Sequence, residues 1–371
     1  MSDQRFLSVR VVLLLLLGLL VGCQTGPEGP DYARPLPEGA SGLRLVTDPA
    51  RMPDLAAAWA GRDSGLITAL DRSIKWFEAP SSHSHYPFEQ FTHQRAEASV
   101  RALRELMTSS RAPSEFAARV QAMFEVYESV GWDDRGTVLY TGYYSPVFRA
   151  SLERTDRYQY PLYRRPADLV SDPVSGKVLG RRVGNLIVGY PTRRTIEETG
   201  MLKGLELVWL PSRLDAYIIE VNGSARLELP DGRILHVGYA GTNGAEYTSI
   251  GRLLVSRGLI DEEDLTLDSI RAYFQEHPDQ LDDFIRLNDR FVFFQVYDGE
   301  NWPAGSLGVK VEPWRSLATH KSVFPRAGMV IADTVVPEPD EGERRFTQFM
   351  LDQDTGGAIR AAGRADIYMG V

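Results

Sequence analysis

Cysteine is nearly absent from this sequence, since Cys23 is the only one among 371 residues. A single cysteine cannot form an internal disulfide, and it leaves no thiol for catalysis in the rest of the chain. Basic residues are outnumbered, with 41 Lys and Arg against 50 Asp and Glu and a formal net charge of -9. Because nucleic acid is bound by basic surface, this balance argues against a nucleic-acid-binding protein.

Several catalytic signatures are missing as well. The chain has neither a Walker-type loop nor a dinucleotide-type glycine triplet after a strand, and neither a zinc-protease helix motif nor a serine nucleophile elbow. Histidine is scarce, with 6 residues, and His83, His85 and His93 lie together in SSHSHYPFEQFTH. A metal site would need converging ligands and a supporting outer shell. Ordinary loop surface is the simpler interpretation, and we expect no metal.

The longest apolar run, VVLLLLLGLLVG, stands near the amino end behind Arg5 and Arg10. It is short for a bilayer span but fits the core of a signal peptide, which we place at residues 1–22. The segment from Leu20 to Cys23 resembles a bacterial lipobox, which implies that Cys23 is lipidated and becomes the mature first residue. An ordinary secretory signal is the alternative.

The residues after Cys23 predict how the protein is held. Gln24 follows the cysteine, and the absence of Asp there resembles lipoproteins that are retained in the outer membrane. Residues 23–45 are rich in Pro and Gly, which is typical of a tether. We therefore expect the folded part to be anchored by lipid at the periplasmic face of the outer membrane.

Hydrophobic periodicity divides the rest of the chain into alternating helical and strand-rich stretches. The helical periodicity covers residues 63–78, 94–109, 114–130 and 247–287. Strands are predicted from Thr137 to about Leu235, with LIVGY, YIIEV and a hairpin turn at Asp231-Gly232, and again at 291–296 and after Gly305. Strands and helices do not alternate regularly one by one, so we predict an α+β fold with barrel-like β domains.

Carboxylates are the remaining candidates for acid–base chemistry. Asp352 and Asp354 are two residues apart and would share a face of a strand. Gly356 and Gly357 follow them and permit a tight turn or the close approach of a ligand. Asp366 stands in RADIY, where small and apolar neighbours would desolvate its carboxyl group. Turn caps or exposed charges are the alternative roles for these aspartates.

The segment TGYYSPVFRASLERTDRYQYPLYRRP, residues 141–166, is dense in aromatic and Arg residues. Aromatic faces stack on sugar rings and Arg pairs with carboxylates, so the composition suits an anionic glycan. The core of a β domain with solvated Arg residues explains the same pattern equally well.

Six segments in order resemble successive blocks of the membrane-bound lytic murein transglycosylase A (MltA) family. They are LYTGYYSPVF, YPLYRRP, GYAGTNGAEYTSIGRLLVSRGLI, NDRFVFFQ, RSLATHKSVFPRAGMVIAD and DTGGAIRAAGRADIYMG. The resemblance covers roughly residues 60–370. It implies two domains around a deep groove. The larger would be a double-psi β-barrel built from residues 46–144 and 301–371, with a 3D domain at about 305–371, and the smaller a β-rich insertion at 145–300.

The resemblance also implies functional residues. Asp366 would be the catalytic acid and Asp354 a supporting carboxylate, whereas Asp352 has no firm counterpart. Thr242, Asn243 and Tyr247 would line the groove with Tyr143 near its edge.

The implied activity is cleavage of peptidoglycan glycan strands between N-acetylmuramic acid and N-acetylglucosamine without water. A protonated Asp366 would protonate the departing oxygen and then accept the proton of the muramoyl 6-hydroxyl, which closes onto C1 to give a 1,6-anhydro product. One carboxyl group serves both steps, unlike the usual pair of carboxylates in glycosidases. No metal or organic cofactor is implied.

Three features depart from the family pattern. His320 stands where the family usually has an aspartate, and Arg364-Ala365 replaces the His-Phe before the catalytic aspartate. Family members usually continue through another strand-forming stretch beyond the point that corresponds to Val371, so we expect an exposed sheet edge near the site. Two alternative functions follow: a peptidoglycan-binding lipoprotein with weakened catalysis, and a hydrolytic muramidase that uses Asp354 and Asp366 as a pair.

Overall fold

The computed structural model describes residues 29–173, 176–338 and 342–371. The predicted signal peptide and Cys23, the predicted lipidation site, lie outside these residues. Within the described ranges no helix is both long enough and apolar enough to cross a bilayer.

The described part of the chain combines helices and strands in an α+β fold, as the sequence predicts. The α-helices are α1 (Leu55–Ala60), α2 (Ser64–Glu78), α3 (His93–Ser109), α4 (Pro113–Met123), α5 (Arg193–Thr199), α6 (Arg213–Asn222), α7 (Ile250–Ser256), α8 (Leu267–Glu276) and α9 (Leu281–Ile285). The strands are β1 (Leu43–Leu45), β2 (Tyr127–Ser129), β3 (Leu139–Tyr143), β4 (Val147–Arg149), β5 (Tyr160–Tyr163), β6 (Leu169–Ser171), β7 (Val178–Val183), β8 (Leu186–Val188), β9 (Glu206–Leu210), β10 (Ser224–Glu228), β11 (Ile234–Thr242), β12 (Val292–Tyr297), β13 (Ser316–Ala318), β14 (Met329–Glu338), β15 (Gly342–Asp354) and β16 (Arg364–Tyr368).

The amino-terminal helices pack against one face of β15. Asp63 caps α2 by accepting a hydrogen bond from the backbone N–H of Leu66 at 2.8 Å, and the apolar face of that helix is buried as its periodicity predicts. Phe349 and Leu351 of β15 belong to the same buried cluster as the helices. This packing fixes the strand that ends in Asp354.

Two boundaries in this region differ from the sequence prediction. Helix α4 ends at Met123, and residues 127–129 form β2, which pairs antiparallel with β1 at residues 43–45. The pairing satisfies the backbone of both short segments, so the helix predicted to run to residue 130 is wrong there. The last three residues assigned to the tether are part of the fold.

The segment YIIEV was predicted as a strand and is helical. It lies in α6, where Ser212 caps the start by accepting a hydrogen bond from Asp215 N at 3.2 Å and Gly223 ends the helix in the left-handed region. Capping and burial of the apolar face override the strand preference of the Ile and Val residues.

The largest sheet joins distant parts of the chain in the order β14-β15-β13-β16-β3. Strand β16 lies antiparallel to β13 and parallel to β3, so the strand that carries Asp366 is paired on both sides. Strand β3, which carries Thr141 and Tyr143, is one edge of this sheet as paired in the described residues, so a sheet edge does lie beside the strand that carries Asp366. As paired in the described residues, this sheet is open, and its strands do not close into a barrel.

A four-stranded sheet in the order β12-β11-β10-β4 forms the centre of the middle region. Its β10–β11 hairpin turns at Asp231-Gly232, which confirms the turn predicted from sequence. Trp302 Nε1 donates a hydrogen bond to the carbonyl oxygen of Val237 at 3.0 Å, so the segment after β12 is tied to this sheet.

A buried ion pair anchors the same region. The guanidinium of Arg193 contacts the Glu220 carboxylate at 2.5 Å, with the side chains 1% and 5% exposed. Arg193 also donates hydrogen bonds to the carbonyl oxygens of Asn288, at 2.9 Å, and Arg290, at 2.6 Å. One buried cation thereby connects α5, α6 and the residues before β12.

We predict that Arg193→Met lowers the free energy of unfolding by about 3–5 kcal/mol, because Glu220 is left buried without its counterion. Arg194→Met is the matched control, since Arg194 and Glu198 form an exposed pair at 3.6 Å and its loss should cost less than about 1 kcal/mol. Urea denaturation of both variants checks this. Similar small losses in the two would contradict the prediction.

Candidate active site

The aspartates 354 and 366 lie in one row across three neighbouring strands. Asp354 of β15 is opposite Ala318 of β13, Ala318 is opposite Asp366 of β16, and Asp366 is opposite Thr141 of β3. A register shift between Leu317 and Ala318 creates this alignment, and such irregularities redirect side chains in sheets. The small, buried residue Ala318 separates the two aspartates in this row.

The carboxyl group of Asp366 is held by three polar contacts. Thr141 Oγ1 donates a hydrogen bond to Oδ1 at 2.7 Å. Arg364 donates from Nε to Oδ1 at 2.9 Å and from Nη2 to Oδ2 at 3.2 Å. The Asp366 side chain is 13% exposed and that of Arg364 is 24% exposed. The fork geometry fixes the plane of the carboxyl group, which remains partly accessible.

Asp354 is held by two backbone donors and a phenol. The backbone N–H groups of Ser306 and Thr355 each donate to Oδ1 at 2.8 Å, and Tyr143 Oη donates to Oδ2 at 2.9 Å. Burial raises the pKa of Asp354 above its usual range, although these three hydrogen bonds act in the opposite direction. The site thus contains a carboxyl group whose proton affinity is increased by its surroundings.

Tyr143 connects the two ends of the row. It lies on β3 two residues after Thr141, and its ring packs on Tyr368 with the centroids 5.2 Å apart. Burial, followed by the charge of Asp354, raises the pKa of the Tyr143 phenol well above its usual value. The phenol therefore stays protonated as a donor to Asp354.

Asp352 occupies a separate, fully buried position. Thr319 Oγ1 donates a hydrogen bond to its Oδ1 at 2.7 Å, and Lys321 Nζ contacts the same oxygen. Burial raises the pKa of Asp352 and lowers that of Lys321, although each charge stabilises the other. Asp352 is opposite Leu317, whereas Asp354 is opposite the next residue, so the expectation that the two aspartates share a strand face is wrong.

His320, the residue that departs from the family pattern, lies at the turn after β13. Its carbonyl oxygen accepts hydrogen bonds from Val323 N at 2.9 Å and Phe324 N at 3.1 Å, and its Nδ1 lies 3.2 Å from Ser322 Oγ. Burial and the charges of Arg360 and Lys321 lower the pKa of His320. Its contacts brace the turn, and the buried carboxylate near Lys321 is supplied by Asp352.

The predicted groove residues 242, 243 and 247 lie on a second element, formed by the end of β11 and the loop that follows it. Thr242 Oγ1 accepts from Gly244 N at 3.1 Å. The side-chain amide of Asn243 donates to the carbonyl oxygens of Pro191 at 2.9 Å and Asp289 at 2.8 Å. Both residues are buried, so they shape the loop, whereas Tyr247 is half-buried and keeps part of its ring accessible.

This loop meets the loop after Asp354. Arg360 Nη2 contacts Glu246 Oε2 at 3.0 Å, and Arg360 Nε donates to the carbonyl oxygen of Gly357 at 3.1 Å. The loop after Asp354 and the loop that carries Tyr247 are thus in contact. No local sequence pattern marks Thr141, which donates to Asp366, or Lys321, which contacts the separate carboxylate of Asp352.

The His residues of SSHSHYPFEQFTH are placed away from this row. His83 stacks on His93 with ring centroids 3.9 Å apart, and His85 stacks on Trp76 at 5.9 Å. Among the described residues no group of three or more His, Cys, Asp or Glu side chains is arranged to hold a metal ion.

Comparison with known proteins identifies relatives of this chain. Residues 139–295 match the family described as MltA specific insert domain, and residues 315–371 match the 3D domain. The membrane-bound lytic murein transglycosylase A of Escherichia coli strain K12 is 30% identical over 253 residues, which are 67% of this chain and 63% of that relative. The Vibrio cholerae serotype O1 protein of the same name is 28% identical over 247 residues, covering 65% and 61%. The match spans less than two thirds of either relative's length.

Solved structures agree in fold. The crystal structure of membrane-bound lytic murein transglycosylase from Agrobacterium tumefaciens superposes with a TM-score of 0.71 at 25% identity, covering 88% of this chain and 91% of that one. The structure of E. coli MltA with bound chitohexaose gives a TM-score of 0.66 at 24% identity, covering 92% and 90%.

We predict that Asp354→Asn stabilises the fold at pH 8 and that the gain shrinks as the pH falls towards 4. Because folding raises the pKa of Asp354, its carboxyl group favours the folded state at pH values below the pKa of the unfolded chain, about 3.9. This contribution to stability is lost as the pH rises through the pKa of the folded protein. The asparagine oxygen can accept from Ser306 N and Thr355 N, and its NH2 group can donate to Tyr143. Urea denaturation at several pH values measures the effect.

Asp231→Asn is the control, and its stability at pH 8 should change in the opposite direction. The backbone N–H and the side chain of Arg233 lower the pKa of Asp231. A lowered carboxyl pKa contributes stability above the unfolded value, so this variant should lose stability at pH 8. A loss of stability in Asp354→Asn at pH 8, or a gain independent of pH, would contradict the prediction.

Proposed function

The chain belongs to the membrane-bound lytic murein transglycosylase A (MltA) family, and we propose that it cleaves the β-1,4 bond between N-acetylmuramic acid and N-acetylglucosamine in peptidoglycan, with formation of a 1,6-anhydro end. The observation that supports this most directly is the row of Asp354, Ala318 and Asp366. In this row hydrogen bonds fix the carboxyl group of Asp366 next to the small side chain of Ala318. The sequence relatives carry this activity in their names, and a relative binds the β-1,4-linked sugar chitohexaose.

In the proposed reaction Asp366 is the catalytic acid and then the base. Its protonated carboxyl group gives a proton to the glycosidic oxygen as the bond from that oxygen to C1 of the muramoyl residue breaks. The resulting carboxylate takes the proton of the muramoyl 6-hydroxyl, whose oxygen bonds to C1. The proton count returns to its starting value, and no water is consumed.

The remaining residues of the row position this carboxyl group. Thr141 and Arg364 donate three hydrogen bonds to Asp366 and fix its orientation, which is the kind of placement that makes proton transfer efficient. Asp354 borders the position of the muramoyl ring, where its ionised carboxyl group would stabilise the positive charge that develops on the sugar, and Tyr143 orients Asp354 through its hydrogen bond. Tyr247, with Thr242 and Asn243 behind it, completes the opposite wall of the groove.

We extend the proposal to domain organisation and location. Residues 46–144 and 301–371 form the catalytic domain around the five-stranded sheet, for which the family resemblance implies a double-psi β-barrel arrangement, and residues 145–300 form the insert that supplies the second wall. The relatives are named membrane-bound, and the lipobox at Leu20–Cys23 supports lipid anchoring of the chain at the periplasmic face of the outer membrane.

A second function, binding of peptidoglycan with weakened catalysis, is favoured by one contact. The guanidinium fork of Arg364 occupies both carboxyl oxygens of Asp366, whereas the first step of the reaction needs one of those oxygens to carry a proton towards the glycosidic oxygen. A hydrolytic muramidase that uses Asp354 and Asp366 is a third outcome. The same experiment separates all three functions.

We predict that the soluble form starting after Cys23 releases anhydro-muropeptides from purified sacculi and that Asp366→Asn lowers the rate by about 10²–10⁴-fold, the usual contribution of a general acid–base group. Mass spectrometry of the products is the measurement. Hydrated products would indicate the two-carboxylate hydrolase. Absence of products from a folded protein that still sediments with sacculi would indicate binding without cleavage.

Asp333→Asn is the matched control for this substitution. Asp333 lies in the same sheet and accepts hydrogen bonds from Thr347 Oγ1 at 2.8 Å and from Arg345 Nη2 at 2.9 Å. Its surroundings therefore repeat those of Asp366 on β14, outside the groove. Equal loss of activity in both variants would mean that the effect of Asp366→Asn is structural.

A further inference from the structure

The side chain of Arg290 lies against the glycine pair that follows Asp354. A Cβ atom placed on Gly357 would be 3.8 Å from Cζ and 3.9 Å from both terminal nitrogens of Arg290. Arg290 also lies close enough to the Tyr247 phenol to lower its pKa, which burial raises. The guanidinium therefore stands between the two loops of the proposed groove.

Arg290 differs from its neighbours in having no acidic partner. Arg193 contacts Glu220, Arg286 contacts Glu197 at 3.3 Å, and Arg360 contacts Glu246. Among the described residues, no hydrogen bond or ion pair involves the guanidinium of Arg290. A half-buried cation without a counterion raises the local positive potential and is ready to accept one.

The backbone of Arg290 is held from both sides, although its side chain is free. Its N–H donates to Asn288 Oδ1 at 3.3 Å, and its carbonyl oxygen accepts from Arg193 Nη2 at 2.6 Å. The next residue is fixed to the predicted groove loop, since Phe291 N donates to Asn243 Oδ1 at 2.9 Å. The cation therefore projects from a rigid base, which reduces the entropy lost when it binds an anion.

We propose that Arg290 forms an anion subsite that selects glycan carrying carboxylates on the muramoyl residue over neutral chito-oligosaccharide. The two sources of this chemistry in peptidoglycan are the free lactyl carboxylate of peptide-free strands and the carboxylates of the peptide stem. Either would pair with the guanidinium in fork geometry. The inference rests on the proposed function, because it names the substrate class of the same groove.

The test measures binding by calorimetry in the Asp366→Asn background, in which turnover is slowed. The ligands are chitohexaose, a peptide-free hexasaccharide alternating N-acetylglucosamine and N-acetylmuramic acid, and the same hexasaccharide with peptide stems. We expect at least one anionic ligand to bind about tenfold more tightly than chitohexaose at low salt, with the preference decreasing as salt is added. Arg290→Gln should reduce this ratio to about one, and Arg290→Lys should retain part of it.

Arg360→Gln is the matched control, because Arg360 contacts the same glycine but is already paired with Glu246. We expect it to change all three affinities by a similar factor. The ligand that loses affinity in Arg290→Gln identifies the lactyl group or the stem as the source of the carboxylate. The proposal is overturned if the background protein shows no preference, if Arg290→Gln weakens all ligands equally, or if Arg360→Gln abolishes the preference as well.

The anion subsite and the proposed transglycosylase activity can be contradicted separately. A protein that discriminates between the ligands but releases no anhydro products retains the subsite and loses the transglycosylase assignment. A protein that releases anhydro products but binds anionic and neutral ligands equally retains the activity and loses the subsite.

Discussion

The parallel pairing of β3 with β16 is the contact on which the candidate site depends. It brings Thr141 within 2.7 Å of Asp366 although the two residues are 225 positions apart in the chain. The same pairing sets Tyr143 beside Tyr368 and directs its hydroxyl group to Asp354. Because successive side chains of a strand point to opposite faces, a shift of this pairing by one residue would turn the β3 side chains away from their partners on β16.

A second constraint is the burial of carboxyl groups in this sheet. Asp354 keeps three hydrogen bonds, yet burial still raises its pKa. Asp352 and Lys321 form a buried pair that braces the turn containing His320. Buried charged groups of this kind rarely add net stability, and they persist where they position other groups. The two aspartates therefore serve different ends: one faces the accessible row, and the other supports the loop behind it.

The middle region contributes through a buried network rather than through its surface. Arg193 binds Glu220 and the carbonyl oxygens before β12, and Asn243 ties the loop after β11 to the same strand. This network fixes the backbone on which Arg290 and Tyr247 stand. The rigidity of the second wall is thus a consequence of contacts that never reach the groove.

The sequence by itself determined the α+β class, the main helices, the hairpin at Asp231-Gly232 and the family, because these follow from local periodicity, turn chemistry and several motifs in fixed order. It also pointed to the segment with Asp354 and Asp366. Only the tertiary structure decided that Asp352 is separated from Asp354, that YIIEV is helical, and that Thr141, Arg364 and Lys321 surround the carboxyl groups. Strand register, a shift at Ala318 and pairing between distant segments fix those positions, and no local pattern encodes contacts between residues so far apart in the chain.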